Sequence, residues 1–205
     1  MESPCAPRST ESTPSISTTL TTPDGPADAE DVDPHFFTDP ARVATAVEHL
    51  AGCMARAVPE LVRTDLRQNA RAYSEELTAL DAELEDILAV VPAQRRVLVT
   101  DHEVFGYFAD RYGFEVLGTI IPSTSSQAQA DAASLSDLIS LVEAEGTPAV
   151  FVSTTSSPRL AESLASQVGD VEVVELFSET LGPDGADTYT DMMRTNARRI
   201  TDALT

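Results

Sequence analysis

Residues 96–121 read RVLVTDHEVFGYFADRYGFEVLGTII. The run RVLVT at 96–100 is short, apolar and rich in valine, the texture of a strand buried on both faces. Phe105 and Phe108 then recur at helical spacing, Gly113 ends that turn of chain, and EVLGTII at 115–121 is a second apolar run. Strand, helix and strand in so few residues leave no room for a hairpin between distant partners and predict two parallel strands joined by a crossover helix.

Toward the C-terminus the alternation continues. A helix is expected over 134–145, a strand over AVFVS at 149–153, a helix over 158–167, a strand over VEVVELF at 171–177 and a last helix over 187–204. Four βα units of this kind predict an α/β fold in which a four-stranded parallel sheet is covered by flanking helices, and we assign it residues 93–205.

Toward the N-terminus, Leu77, Leu80, Leu84, Ile87 and Leu88 lie on one face of an expected helix spanning about 60–91. That helix is longer than a compact domain of this size needs and reads as a strut joining two lobes. Asp39-Pro40 places an N-cap before a proline at the first helical position, and Val43, Val47, Leu50 and Met54 continue the helix to about residue 57. Residues 1–33 are dominated by Ser, Thr, Pro, Asp and Ala and read as a disordered tail, so 34–92 form a separate helical region.

The formal net charge is −21 and all 13 basic residues are scattered arginines, which offers no stripe to follow a phosphate backbone and excludes nucleic acid as a partner. Cys5 and Cys53 share no CxxC spacing, so no disulfide framework is indicated. The first 30 residues lack the basic start and apolar stretch of a secretory signal. Phosphate-binding glycine patterns and a GxSxG elbow are absent from the sequence, and no enzymatic constellation is read from it.

In open parallel sheets ligands sit beyond the carboxyl ends of the strands. Asp101-His102-Glu103, Pro122–Ser126, Thr154–Ser157 and Ser178-Glu179 occupy those ends. An imidazole at His102 and a carboxylate at Glu179 on one rim suit a divalent cation, and His35, stiffened between Pro34 and the cap at Asp39, offers a third donor. Each also has an ordinary reading as a surface loop residue, and His49 beside Leu50 reads as structural. Asp101 and Glu103 are candidates to orient the His102 ring or to cap the following helix. Asp184 and Asp187 read as a turn and an N-cap for the last helix.

DPHFFTDP at 33–40 resembles the DPHxWLDP signature of the metal-binding solute receptors of zinc and manganese ABC importers, with Phe37 in place of tryptophan. VLVTDHEVFGYFADRYGFEVLG at 97–118 is similar to the strand, histidine and helix segment of that family, and LGPDGADTYTDMMRTN at 181–196 to its C-terminal segment. The resemblance implies a TroA-like, chelatase-like half with a long inter-lobe helix, and carries metal-ligand roles to His35 and His102. A carboxylate ligand shortly after the last strand falls at Glu179, through a looser local match. It implies Zn²⁺ as cargo, with Mn²⁺ as the alternative, an ABC permease as partner, a periplasmic or surface-attached location, and no enzymatic activity.

Members of that family begin with a lobe that supplies a further histidine. Only 34 residues, none of them histidine, precede His35, so the chain is expected to lack that ligand, most of that lobe and the signal peptide. Exposed apolar faces on the helices of 40–91, and self-association through them, are expected in consequence. The competing expectation is a truncated, non-binding remnant or protein-interaction module of the same fold. A flavodoxin-like enzyme would rest on fold analogy alone.

Overall fold

The computed structural model describes residues 33–58, 60, 65–121, 132–155, 163, 166, 167, 169, 171–183 and 185–205. Four parallel strands, β1 (Val97–His102), β2 (Glu115–Ile121), β3 (Ala149–Ser153) and β4 (Glu172–Leu176), form one sheet in the order β2-β1-β3-β4. The chain thus starts in the middle of the sheet and steps to opposite sides, which opens a crevice at the carboxyl ends of β1 and β3. Helices are α1 (Pro40–Ala57), α2 (Leu66–Leu88), α3 (Gly106–Tyr112), α4 (Ala132–Glu145) and α5 (Tyr189–Leu204). The expected tail over 1–33, apart from Asp33, and most of the expected helix over 158–167 lie outside the described residues.

Pairing of Thr100 with Phe151 and of Phe151 with Val174 puts alternate residues of β1, β3 and β4 on a common face. Leu98, Ala149, Phe151 and Leu176 on that face form one core with Leu77, Leu80, Leu84 and Leu88 of α2, Phe108 of α3, and Met193, Ala197, Ile200 and Leu204 of α5. The α2 leucines recur every three or four residues and are at most 1% exposed. Val99, Val150 and Val152 of the opposite face are buried as well, as are Leu138 and Val142 of α4. Both faces are covered, as a parallel sheet requires.

Several boundaries differ from the sequence reading. β1 runs two residues past Thr100, because His102 still pairs with Ile121 of β2; His102 is the last residue of the strand rather than part of the following loop. α2 begins at Leu66, not near residue 60. Gly113 ends α3 in the left-handed region at φ 69°, where a side chain would be strained. α5 is capped by Thr188 rather than Asp187: its hydroxyl accepts from Asp191 N at 3.2 Å and donates to the Asp191 carboxylate at 2.6 Å.

The expected exposure of apolar helix faces holds at the end of α1, where Leu50, Met54 and Val58 are 58%, 38% and 43% exposed, and fails for α2, whose leucines are enclosed by the sheet and α5. Cys53, on α1, is buried. Among the described residues no helix is long and apolar enough to cross a membrane.

Candidate metal centre

His102 stands at the carboxyl end of the central strand β1, 1% exposed. Its Nδ1 lies 2.9 Å from Asp101 Oδ1, which also accepts from the His102 backbone N–H at 2.9 Å. The other oxygen, Asp101 Oδ2, accepts from the Ser153 backbone N–H at 2.8 Å and ties the end of β1 to the end of β3. A carboxylate on Nδ1 selects the tautomer that carries its proton there, which leaves the Nε2 lone pair free to bind. Nε2 is buried and has no hydrogen-bond partner among the described residues. An unpaired buried nitrogen is costly unless something outside the protein fills the position.

His35 repeats this arrangement on a different part of the chain. It immediately precedes a single 3-10 turn, Phe36–Thr38, and is 4% exposed. Asp33 Oδ1 lies 2.7 Å from His35 Nδ1 and accepts from the His35 backbone N–H at 2.9 Å. Thr38 closes the turn by donating from both backbone N–H and hydroxyl to the His35 carbonyl. The two imidazoles meet edge to face with centroids 5.8 Å apart.

Glu179 follows β4 and is exposed, on a backbone anchored two residues earlier. Buried Asn196 of α5 accepts from Phe177 N at 2.9 Å and donates to Phe177 O at 2.6 Å, which pins the backbone two residues before Glu179. Thr155 Oγ1 lies 3.4 Å from Glu179 Oε2 and joins a hydroxyl cluster with Ser153, itself 2.7 Å from Ser178 Oγ. Glu179 Oε1 comes to 3.7 Å from His102 Nε2.

One donor atom from each of His35, His102 and Glu179 lies within 4.8 Å of the others. Tetrahedral ligands about 2.0–2.1 Å from a zinc ion sit about 3.3 Å from one another, so a contraction of up to about 1.5 Å brings the trio to coordination distance. Three carboxylates, at Asp33, Asp101 and Glu179, surround the two imidazoles and favour a cation over an anion. Burial lowers the His102 pKa, but the hydrogen bond and charge of Asp101 and the charge of Glu179 outweigh it and hold the imidazole above the ordinary histidine value.

All three residues singled out in the sequence therefore converge. His49 is exposed on α1 and takes no part, and Glu103, also exposed, does not reach the ring that Asp101 orients. Asp184 lies outside the described residues. The sequence reading missed Asp33, assigned there to the tail, and Asn196; the i,i+2 spacing of Asp33 and His35, matched by Asp101 beside His102, was the available signal for the first.

The chain is 34% identical over 179 residues to the zinc-binding protein TroA of Treponema pallidum, 30% to the manganese-binding lipoprotein MntA of Bacillus subtilis, and 29% over 154 residues to the iron-binding protein YfeA of Yersinia pestis. These alignments cover 84%, 84% and 73% of this chain but 57%, 58% and 49% of the relatives, so the chain spans about half to three-fifths of their length. The solved structure of the periplasmic zinc-binding protein TroA superposes with a TM-score of 0.78 at 30% identity, over 93% of this chain and 69% of that one. With the family model described as ZnuA, zinc-uptake complex component A, periplasmic, matching residues 6–203, the chain belongs to that family.

Proposed function

We propose that the chain captures a divalent metal ion, Zn²⁺ first, through His35 Nε2, His102 Nε2 and the Glu179 carboxylate, outside the cytoplasmic membrane, for delivery to an ABC permease. The observation that carries this is the buried, unpartnered Nε2 of His102, held in its metal-binding tautomer by Asp101 and facing a second imidazole and a carboxylate. Two imidazoles and one carboxylate match the nitrogen and oxygen preference of zinc, with a fourth position open to water. Manganese prefers more carboxylate and a higher coordination number, and is the weaker candidate. The relatives named for zinc, manganese and iron support metal cargo as the class without choosing among the three. The family is one of solute-binding proteins, so metal is cargo and no bond is made or broken.

Titration calorimetry of the metal-free chain with Zn²⁺ tests the reading. One ion per chain is expected, with affinity falling at least about 100-fold in His102→Ala, since the loss of one of three ligands exceeds the 10- to 100-fold effect typical of outer-shell changes. Absence of zinc uptake, or uptake indifferent to both His102→Ala and His35→Ala, would sink it.

A further inference from the structure

The three donors come from two unlike sources. His102 and Glu179 rise from strand ends in one sheet, whereas His35 sits on residues 33–38, ahead of α1 and outside the sheet. Something must hold that segment against the sheet if His35 is to be in place before a metal arrives. Two tyrosine hydroxyls do so, one on each side of the histidine. Tyr107, on α3, donates to the Asp33 carbonyl at 3.2 Å. Tyr189, the first residue of α5, donates to the Phe37 carbonyl at 2.7 Å.

The two fastenings come from different helices, α3 and α5. Tyr107 is braced by the Arg42 guanidinium, 4.5 Å from its ring centroid, and Arg42 is in turn paired with Asp39, the cap of α1, at 3.1 Å. Tyr189 packs against the main core. The Asp33 carboxylate that orients the His35 ring also lies close above Gly106, where an added Cβ would come to 3.2 Å from Asp33 Oδ2. The segment is thus gripped at Asp33 and at Phe37, with His35 between them.

We infer that Tyr107 and Tyr189 form a clasp that preorganises His35 for metal capture, so that the segment carrying this ligand is positioned by the sheet lobe itself. This rests on the proposed function, because the clasp matters only if His35 is a ligand. Neither tyrosine touches the metal; both are positioning residues. Preorganisation lowers the ordering cost that a metal would otherwise have to overcome on binding.

The test combines Zn²⁺ alone as the probe in calorimetry with backbone hydrogen exchange on the metal-free chain, for wild type, Tyr107→Phe, Tyr189→Phe, the double variant and His35→Ala. Each single Tyr→Phe change removes one hydroxyl and keeps the ring. It should weaken zinc binding about three- to tenfold, the measure of one partly buried neutral hydrogen bond, and the double variant by about 10- to 50-fold. Exchange at the protected Thr38 and Asp39 amides should accelerate by similar factors, while protection of β1 and β3 stays as in wild type.

Unchanged zinc affinity in the double variant overturns the clasp, and so does faster exchange spread evenly over the sheet, which would mark general destabilisation. If His35→Ala binds zinc as wild type does, the ligand role of His35 fails and the positioning role fails with it. Faster exchange confined to 35–39 would in that case show a fastening with no part in metal capture. If His35→Ala binds poorly and the tyrosine variants bind normally, only the clasp is lost.

Discussion

At the scale of single residues, Asp101 has the most demands on it. It is 1% exposed and orients His102 with one oxygen while the other holds Ser153 of the neighbouring strand. Replacing it by Asn keeps the shape and substitutes an amide for one acceptor, so either the His102 Nδ1–H or the Ser153 N–H faces a donor. Asp101→Asn should therefore weaken zinc binding by about 10- to 100-fold and destabilise the metal-free fold by about 1–3 kcal/mol, measured by calorimetry and urea unfolding. An effect on stability with none on affinity would refute the orienting role. The His102 pKa gives the sign of the pH dependence. Coordination needs the neutral imidazole, and a raised pKa lets protons compete nearer neutrality, so zinc binding should weaken steadily in titrations at about pH 8, 7 and 6. Equal affinity at all three would contradict a histidine ligand. The convergence of His35, His102 and Glu179 was legible in part because histidine is scarce, with three in the chain, and because strand ends can be read from apolar runs. Tyr107, Tyr189 and Asn196 were not, since each acts on backbone 19 to 152 residues away in sequence and a tyrosine or asparagine on a helix carries no local mark of that.

Among the elements, strands β1 to β4 were readable because valine-rich runs between helices have few other uses, whereas their exact ends depended on pairing that only the sheet supplies. The register shift of β1 against β2 between Leu98 and Val99 is of the same kind. How α2 meets α3 was also beyond local reading. Asp81, 7% exposed on the buried side of α2, accepts from Arg111 Nε at 2.9 Å, from Arg111 Nη2 and from the Tyr112 hydroxyl at 3.0 Å. Glu85, one turn on, reaches the same guanidinium at 3.0 Å. A carboxylate flanked by leucines on an amphipathic face looks like a flaw in the pattern until its arginine is seen on another helix. Asp81→Ala removes the acceptor of three bonds and should cost about 2–3 kcal/mol in urea unfolding. That is short of the 3–5 kcal/mol of a fully buried pair, because the Arg111 side chain is 35% exposed and keeps some water. Loss below about 0.5 kcal/mol would place the cluster among ordinary surface pairs.

Over the whole molecule, a net charge of −21 favours solubility and concentrates cations near the surface without discriminating among them, whereas two oriented imidazoles and a carboxylate converge at one cluster among the described residues. The same core that supports this site also encloses the tyrosines that determine how the fold responds to alkali. Tyr112 is 5% exposed and its pKa is raised by burial and then by the charge and hydrogen bond of Asp81, with Arg111 opposing. Tyr189, one half of the clasp, is raised by burial and then by neighbouring Tyr73, Asp39 and Asp81. In the unfolded chain both ionise near the ordinary tyrosine value of about 10. Their contribution is therefore fully present below about pH 10 and is lost as the pH climbs from there toward the higher folded-state values. Each tyrosine then removes about 1.4 kcal/mol of stability per pH unit, and the pair close to twice that. Urea unfolding at about pH 9, 10 and 11 should show little change over the first step and a fall of about 2–3 kcal/mol over the second. Tyr112→Phe should lower that slope whatever it does to stability at neutral pH, and a slope that Tyr112→Phe leaves untouched would show that some other group governs the alkaline transition.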